Sequence, residues 1–305
     1  MSHSMALPAV ALPHRHSLGS RISAYVALTK PRIIELLLIT TLPTMIVAQR
    51  GLPPVWLMAA TLLGGALAAG GANAINMVID RDIDKLMHRT AKRPLVTGAL
   101  TPRNALVFAI GLEVLAFVEL WAWVNLLSAV LAVSATLFYV FVYTLWLKRT
   151  SSQNIVIGGA AGAVPVLVGW AAVTNSLSWT PAVMFAIIFV WTPPHFWALA
   201  VKYKDDYQAA NVPMLPAVAT FKRTAREILL YSVLLVGVTL LLAAVASLGT
   251  VYIVAAVVLG VAFVAMAARL YARATPKAAM QLFSYSITYL TLLFVFMAVD
   301  IFTKH

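Results

Sequence analysis

Nine successive apolar stretches dominate this sequence and restrict what it can fold into. A hydrocarbon core of about 30 Å is crossed by about 20 helical residues, and most of the stretches approach that length. Of the 305 residues, 62% are hydrophobic and only 10% are charged, whereas a soluble domain carries about 25% charged residues. We therefore predict an all-α integral membrane protein with nine transmembrane helices, at residues 33–50, 55–78, 105–123, 124–146, 154–173, 178–201, 227–247, 250–272 and 283–302.

The basic residues are distributed unequally between the two sides of this predicted bundle. If the amino terminus is cytoplasmic, twenty of the 22 Lys and Arg residues fall on that side, and only Arg50 and Lys304 fall on the other. Because cytoplasmic segments are enriched in Lys and Arg, the pattern predicts a cytoplasmic N-terminus and an external C-terminus. Attraction of a basic inner face to the anionic lipid bilayer accounts for the net charge of +12, so no nucleic-acid partner is expected.

Residues 1–24 are interpreted as a disordered basic tail and residues 25–305 as a single membrane domain. The chain has no cysteine, which excludes disulfides, iron–sulfur ligation and thiolate chemistry. The acidic residues are few, and five of the ten lie in two predicted cytoplasmic loops, which follow the second and sixth helices. Because the loops recur after four helices, we predict two four-helix halves plus a ninth helix. Glu35, Glu113 and Glu119 lie within or at the edges of apolar spans.

The first acidic loop carries Asn76, Asp80 and Asp84 at i, i+4 and i+8. On a helix this spacing places all three side chains along one stripe. A structural interpretation is a solvated helix end whose charges are balanced by neighbouring basic residues. Carboxylates at the end of a membrane helix are nevertheless costly and usually functional. Oxygen ligands of this kind suit Mg²⁺, which commonly takes one or two carboxylates together with substrate phosphates.

Basic residues follow the stripe and recur in two other predicted cytoplasmic segments. Arg89, Lys92 and Arg93 lie just downstream of the stripe, where they can hold phosphate oxygens. Lys148 and Arg149, between the fourth and fifth helices, are also typical of an ordinary membrane-flanking pair. Acidic residues that bind a metal ion, next to basic residues that bind phosphate, would form a metal–diphosphate site. The second acidic loop would form the opposite wall of this site, with Lys202, Tyr203, Asp205, Asp206 and Tyr207.

One histidine lies inside a predicted span, in the segment Pro193-Pro194-His195. Consecutive prolines remove backbone donors and are expected to kink the sixth helix. His195 is interpreted either as a hydrogen-bonded structural residue or as a contact or proton acceptor for a planar substrate.

These motifs together resemble the UbiA superfamily of intramembrane prenyltransferases. The first signature of that superfamily resembles Asn76-x3-Asp80-x3-Asp84 followed by Arg89-Thr90-x2-Arg93-Pro94. The second signature is commonly an acidic DxxxD pair, whereas Lys202 and Asp206 occupy that spacing here. This lysine, the Val212–Pro216 run and the Thr192–Trp197 run are similar to the branch of the superfamily that transfers a farnesyl group to protoheme IX.

The resemblance implies a UbiA-like bundle around a central cavity, in the inner (cytoplasmic) membrane with its active site facing the cytoplasm. It implies farnesyl diphosphate and heme B as substrates, Mg²⁺ as cofactor and, downstream, a possible heme A synthase as partner. The implied catalytic residues are Asp80, Asp84 and Asp206, and the implied metal ligands are Asn76, Asp80, Asp84, Asp205 and Asp206. The implied substrate-binding residues are Arg89, Lys92, Arg93, Lys148, Arg149, Lys202, Tyr203, Tyr207 and His195.

Two other functions remain open from the sequence. The nearer one is a UbiA-type enzyme acting on an aromatic acid or quinone precursor, for which an acidic second motif is more typical. The other is a secondary transporter for an anionic substrate, although transporters tend to place charges near the bilayer midplane rather than at one interface.

Overall fold

The computed structural model describes residues 18–303, apart from the side chains of Leu18 and residues 32–38, and this part of the chain is helical. The first half comprises helices α1 (Leu18–Thr29), α2 (Pro31–Gln49), α3 (Val55–Ile79), α4 (Pro102–Trp123) and α5 (Leu126–Thr150). The second half comprises α6 (Asn154–Thr174), α7 (Trp179–Lys202), α8 (Phe221–Val245), α9 (Thr250–Arg273) and α10 (Pro276–Thr303).

Eight of these helices, α3 to α10, are long and apolar enough to cross a membrane. Helix α2 has 19 residues. Among those whose side chains the structure describes, the apolar part is Ile39–Gln49, which is shorter than the other eight spans. The predicted spans coincide with these helices, although α8 and α10 begin earlier than predicted, at Phe221 and Pro276. Their early turns carry exposed basic residues such as Lys222 and Lys277, which a search for apolar residues excludes.

The predicted tail is too long, because its last part forms a helix. Residues 1–17 lie outside the described residues, whereas residues 18–24 belong to α1. Ala24 and Leu28 are buried in a small core that also contains Leu95 and Leu100, and the rings of Tyr25 and Phe108 lie 4.9 Å apart. Burial of one apolar face therefore stabilises this short helix, although the sequence contains no long apolar run that would predict it.

From α2 onward, helices adjacent in sequence pack against one another, and α1 packs on α3. Helix α2 also packs on α6 and α10, and α5 packs on α6, so the two halves are joined along these helices. Large side chains fill the second half, where Trp197, Tyr252, Phe263, Tyr289 and Phe294 are fully buried. A cavity remains between α3, α5, α6 and α7, and it leads to the functional residues.

Candidate functional site

Asn76, Asp80 and Asp84 lie together where α3 ends, and all three are buried. The helix stops at Ile79, and a single turn, Arg81–Asp84, continues the chain beyond Asp80. The Asn76 amide donates to Asp80 Oδ2 at 2.7 Å. The first two residues of the predicted stripe are therefore in direct contact. Asp84 is held separately, since its carbonyl accepts from Thr90 Oγ1 at 2.6 Å.

Both carboxylates of the stripe are paired with cations from other segments. Lys148, at the end of α5, forms an ion pair with Asp80 Oδ2. Arg93 donates to Asp84 Oδ2 at 2.5 Å. Charges buried to this degree are stable only when they are paired, and each of these two buried carboxylates has a basic partner here.

A π-helical segment, Phe138–Leu147, brings Lys148 to this position within α5. Thr144 Oγ1 donates to the carbonyl of Tyr139, five residues earlier, at 2.9 Å, and accepts from the Asn76 amide at 3.2 Å. Such π segments inside α-helices occur frequently at functional sites. Thr144 therefore fixes the register between α5 and the acidic stripe, a contact that the sequence motifs did not reveal.

The second acidic loop contributes through Asp206, which is buried. Its carboxylate accepts from the backbone amides of His88 at 3.3 Å and Arg89 at 3.0 Å, at the start of the short 3₁₀-helix His88–Thr90. The Arg89 guanidinium lies 5.5 Å from the ring centre of Tyr203 and 5.6 Å from that of Tyr207. Asp206 thus orients the segment that carries Arg89.

Lys30 is a site residue that the sequence analysis did not select. It links α1 to α2 in a left-handed conformation with φ of 52°, and its ammonium donates to Asn76 Oδ1 at 3.0 Å. Burial, reinforced by the nearby Arg93 and Lys148 charges, lowers the pKa of the Lys30 ammonium to about 7. Positive φ at a half-buried, non-glycine residue is a common sign of functional strain, but it is not visible in a sequence.

The cavity has a volume of about 360 Å³ and is polar at one end. Its polar end is lined by Lys30, Asn76, Arg89, Arg93 and Lys148. Aromatic side chains form much of the remaining wall, namely Tyr139, Tyr143, Trp191, Phe196 and Tyr207, and small residues of α3 and α6 form the rest. The combination suits a ligand with an anionic head and a large apolar body.

Several residues predicted for the site lie outside this cavity lining. Lys92, Lys202 and Asp205 are exposed, and the Lys202 ammonium lies 5.5 Å from the ring centre of Tyr203. Arg149 forms a bidentate pair with the exposed Asp82, at 2.7 and 2.8 Å, and this hydrogen bonding lowers the pKa of Asp82.

His195 lies one layer behind the cavity wall. Its ring stacks on Trp191, a wall residue, at 4.2 Å between ring centres, and its Nδ1 lies 2.6 Å from Ser286 Oγ. Because Ser286 Oγ donates its single hydrogen to the Phe283 carbonyl, it accepts from His195, and we assign the proton to Nδ1.

The predicted five-residue metal set is not assembled in the structure. In residues 18–303, leaving aside the undescribed side chains, no three His, Asp or Glu residues form a cluster able to hold a metal ion. Asp206 is engaged with backbone amides and Asp205 faces outward, so neither joins Asp80 and Asp84.

The smaller set of Asn76, Asp80 and Asp84 does fit a hard divalent cation. Asp80 Oδ1 is buried and accepts no hydrogen bond, and the Arg149 Nη2 atom lies 3.7 Å from it. An unpartnered buried carboxylate oxygen is costly unless a ligand completes it. Amide and carboxylate oxygens are suitable Mg²⁺ ligands.

Residues 37–298 match the model of the UbiA prenyltransferase family, and the chain belongs to that family. The chain is 53% identical over 293 residues to Protoheme IX farnesyltransferase of Renibacterium salmoninarum, a match that covers 94% of this chain and 92% of that protein. It is therefore a multi-pass membrane protein of a family of prenyltransferases.

Two solved structures show the same fold at low sequence identity. One, from work on digeranylgeranylglyceryl phosphate synthase, has a TM-score of 0.77 at 16% identity and covers 93% of this chain and 99% of that one. The other is a UbiA homolog from Archaeoglobus fulgidus bound to GPP and Mg²⁺. It has a TM-score of 0.60 at 16% identity, and the match covers 90% of this chain and 99% of that one.

Proposed function

We propose that this protein transfers the farnesyl group of farnesyl diphosphate to the 2-vinyl group of heme B, with addition of water, to form heme O. The observation that carries this proposal is the cavity, which joins a cationic end to an aromatic wall. The relative at 53% identity is named for the same reaction. An anionic diphosphate matches the cationic end, and a planar tetrapyrrole matches the aromatic wall.

Asn76, Asp80 and Asp84 would hold Mg²⁺, the ion bound with GPP in the A. fulgidus homolog. When bound, the ion would neutralise the diphosphate and make it a better leaving group. The free Asp80 Oδ1 and the oxygen-rich donor set support this assignment.

Lys30, Arg89, Arg93 and Lys148 would bind the diphosphate and stabilise the negative charge that grows on it as the C1–O bond breaks. All four line the cavity. Arg93 offers a planar fork for phosphate oxygens, and Lys148 offers a compact charge. Asp206 would act as a positioning residue, because it orients the backbone at Arg89.

Tyr139 and Tyr143, whose rings stack at 5.3 Å, would contact the planar acceptor together with Trp191. His195 would hold the Trp191 ring in place, since the two rings stack. Tyr203 and Tyr207 would restrict Arg89 through cation–π contacts. Lys202 and Arg149 would act at the cytoplasmic surface of the site rather than on the phosphate itself.

We further propose that α2 is the first of nine spans and that the amino terminus is cytoplasmic. This orientation places the acidic stripe and its basic partners at the cytoplasmic face of the inner membrane, in accord with the enrichment of Lys and Arg there. The product is very apolar, so we expect a membrane partner such as a heme A synthase to receive it.

The test is to incubate the purified protein in detergent with farnesyl diphosphate, Mg²⁺ and either heme B or 4-hydroxybenzoate. The proposal predicts that heme B gains one hydroxyfarnesyl group by mass spectrometry and that the phenolic acid is unchanged. Prenylation of the phenolic acid with unchanged heme would instead assign the chain to the aromatic-acid branch of the family.

A further inference from the structure

Glu113 places a carboxyl group in the membrane-spanning part of α4, behind the cavity wall. Its Oε1 lies 3.2 Å from Thr136 Oγ1 of α5, and its Oε2 is buried without a hydrogen-bond partner. Ionisable residues at this depth are costly and usually serve a function. The site described above uses neither residue.

Helix α3 is shaped to receive this carboxyl group. A Cβ atom added at Gly71 would lie 2.6 Å from Glu113 Oε1, so only glycine leaves the space that the carboxyl group occupies. The neighbouring Ala72 lines the cavity. Glu113 is therefore held between α3 and α5, directly behind the wall of the cavity.

Thr136 connects this carboxyl group to the cavity. It is itself a lining residue and is buried. Thr61 and Thr192 also line the cavity, but each donates to a carbonyl oxygen of its own helix, Leu57 and Ile188 respectively. The Thr136 hydroxyl instead reaches a carboxylate oxygen, which can accept and keep a proton.

The proposed reaction requires such a proton acceptor. Farnesyl C1 loses diphosphate and bonds to the terminal vinyl carbon, which leaves a cation on the carbon attached to the porphyrin. Water then forms a C–O bond to that carbon and must release one proton. Positioned bases accelerate steps of this kind by roughly 10²- to 10⁴-fold.

We propose that Thr136 and Glu113 accept this proton. Thr136 Oγ1 takes the proton from the attacking water while its own hydrogen passes to Glu113 Oε1, so the cavity gains no charge and the carboxylate becomes a neutral acid. Thr136 is the catalytic residue of this relay, and Glu113 acts through it. The inference rests on the proposed function, because only hydration of a heme cation requires it.

The position of Thr136 suits this role. It precedes Thr144, the partner of Asn76, by eight residues of α5, and so lies further from the end of that helix where Lys148 pairs with Asp80. The relay therefore lies deeper in the membrane than the diphosphate site, on the same wall. His195 is the competing acceptor, because Nε2 carries the lone pair when Nδ1 holds the proton, but its ring does not line the cavity.

The test measures the products formed from heme B and farnesyl diphosphate by the full-length protein in detergent. In Glu113→Gln and Thr136→Val, farnesyl transfer should continue, but the cation should lose a proton from the adjacent carbon instead of gaining water. We expect the ratio of hydroxylated product to the product lighter by one water to fall at least about tenfold. Glu113→Asp should restore part of the ratio.

Glu119→Gln is the matched control, because Glu119 is a buried carboxyl on the same helix without a hydrogen-bond partner. It should leave the ratio unchanged. If Glu113→Gln and Thr136→Val lower the yield but leave the ratio unchanged, the two residues have a structural role and the proposal is overturned. The proposal is also overturned if the ratio falls in His195→Asn but not in these two variants. If the unsubstituted protein produced no farnesylated heme of either mass, the proposed function itself would fail.

Discussion

Lys148 and Asp80 form an ion pair between the end of α5 and the end of α3, and the Asp80 side chain is completely buried. The two residues are 68 positions apart in sequence. Breaking a buried pair by removing one partner usually costs about 3–5 kcal/mol, because the remaining charge is left uncompensated. The pair therefore serves the fold and the chemistry at once, and experiments must separate the two.

Asp80→Asn is expected to reduce heme farnesylation by at least about 100-fold, because it removes the charge from the centre of the proposed metal site. It should also lower the melting temperature, since Lys148 loses its partner. Adding Lys148→Met should recover stability but not activity. Product formation and thermal unfolding in detergent measure the two effects. Glu227→Gln is the control, because it breaks a partly exposed ion pair with Arg226. Near-normal activity of Asp80→Asn in excess Mg²⁺ would refute the metal assignment.

Arg93→Lys is expected to raise KM for farnesyl diphosphate about tenfold, equivalent to about 1.4 kcal/mol. The substitution keeps the charge but loses the planar fork that matches phosphate oxygens. Steady-state kinetics at saturating heme measure the change. Lys92→Ala, at the exposed neighbouring position, should alter KM by less than about twofold. Equal effects at the two positions would argue against a specific role for Arg93.

Asp206→Ala is expected to raise KM for farnesyl diphosphate about tenfold, because the amides of His88 and Arg89 lose their shared acceptor. If Asp206 only positions Arg89, the Mg²⁺ concentration that gives half-maximal activity should stay the same. A large shift in that concentration would restore Asp206 to the metal set. Asp205→Ala, at the adjacent exposed residue, should affect neither quantity.

Asp300→Ala is expected to lower stability by about 1–2 kcal/mol without changing the reaction. The Asp300 carboxylate, on α10, accepts from the backbone amides of Gly249 at 2.5 Å and Tyr252 at 3.1 Å. These amides lie at the N-terminus of α9, so Asp300 caps that helix. Thermal unfolding in detergent should reveal the loss, and Asp300→Asn should retain part of the stability because its amide oxygen still accepts. An unchanged melting temperature would show that the cap contributes little.

The helices could largely be predicted from sequence because a membrane span requires a long apolar run, and each run is visible on its own. Helix α1 was missed because it is short and apolar on one face only, so its stability depends on Leu95, Leu100 and Phe108 from elsewhere in the chain. The π-helical segment of α5 was also missed, and within it Thr144 contacts Asn76 of α3, a long-range contact that no local pattern shows.

The sequence selects most of the acids and bases that lie near the polar end of the cavity, but not their pairings. The spacing of Asn76 and Asp80 gives their hydrogen bond directly. Nothing local shows that Asp206 binds the backbone at Arg89, or that Lys30 reaches Asn76 across two helices. Nor does the sequence show that Glu113 and Glu119, six residues apart on α4, both pack against α3, where Gly71 and Gly64 leave room for their carboxyl groups.

The most direct test of the central claim is a competition between acceptors in one reaction. Purified protein receives farnesyl diphosphate, Mg²⁺, heme B and 4-hydroxybenzoate together, and the products are identified by mass spectrometry. The cationic and aromatic cavity predicts hydroxyfarnesyl heme as the main product, with its formation abolished in Asp80→Asn. Farnesylated 4-hydroxybenzoate with heme B recovered unchanged would contradict the account.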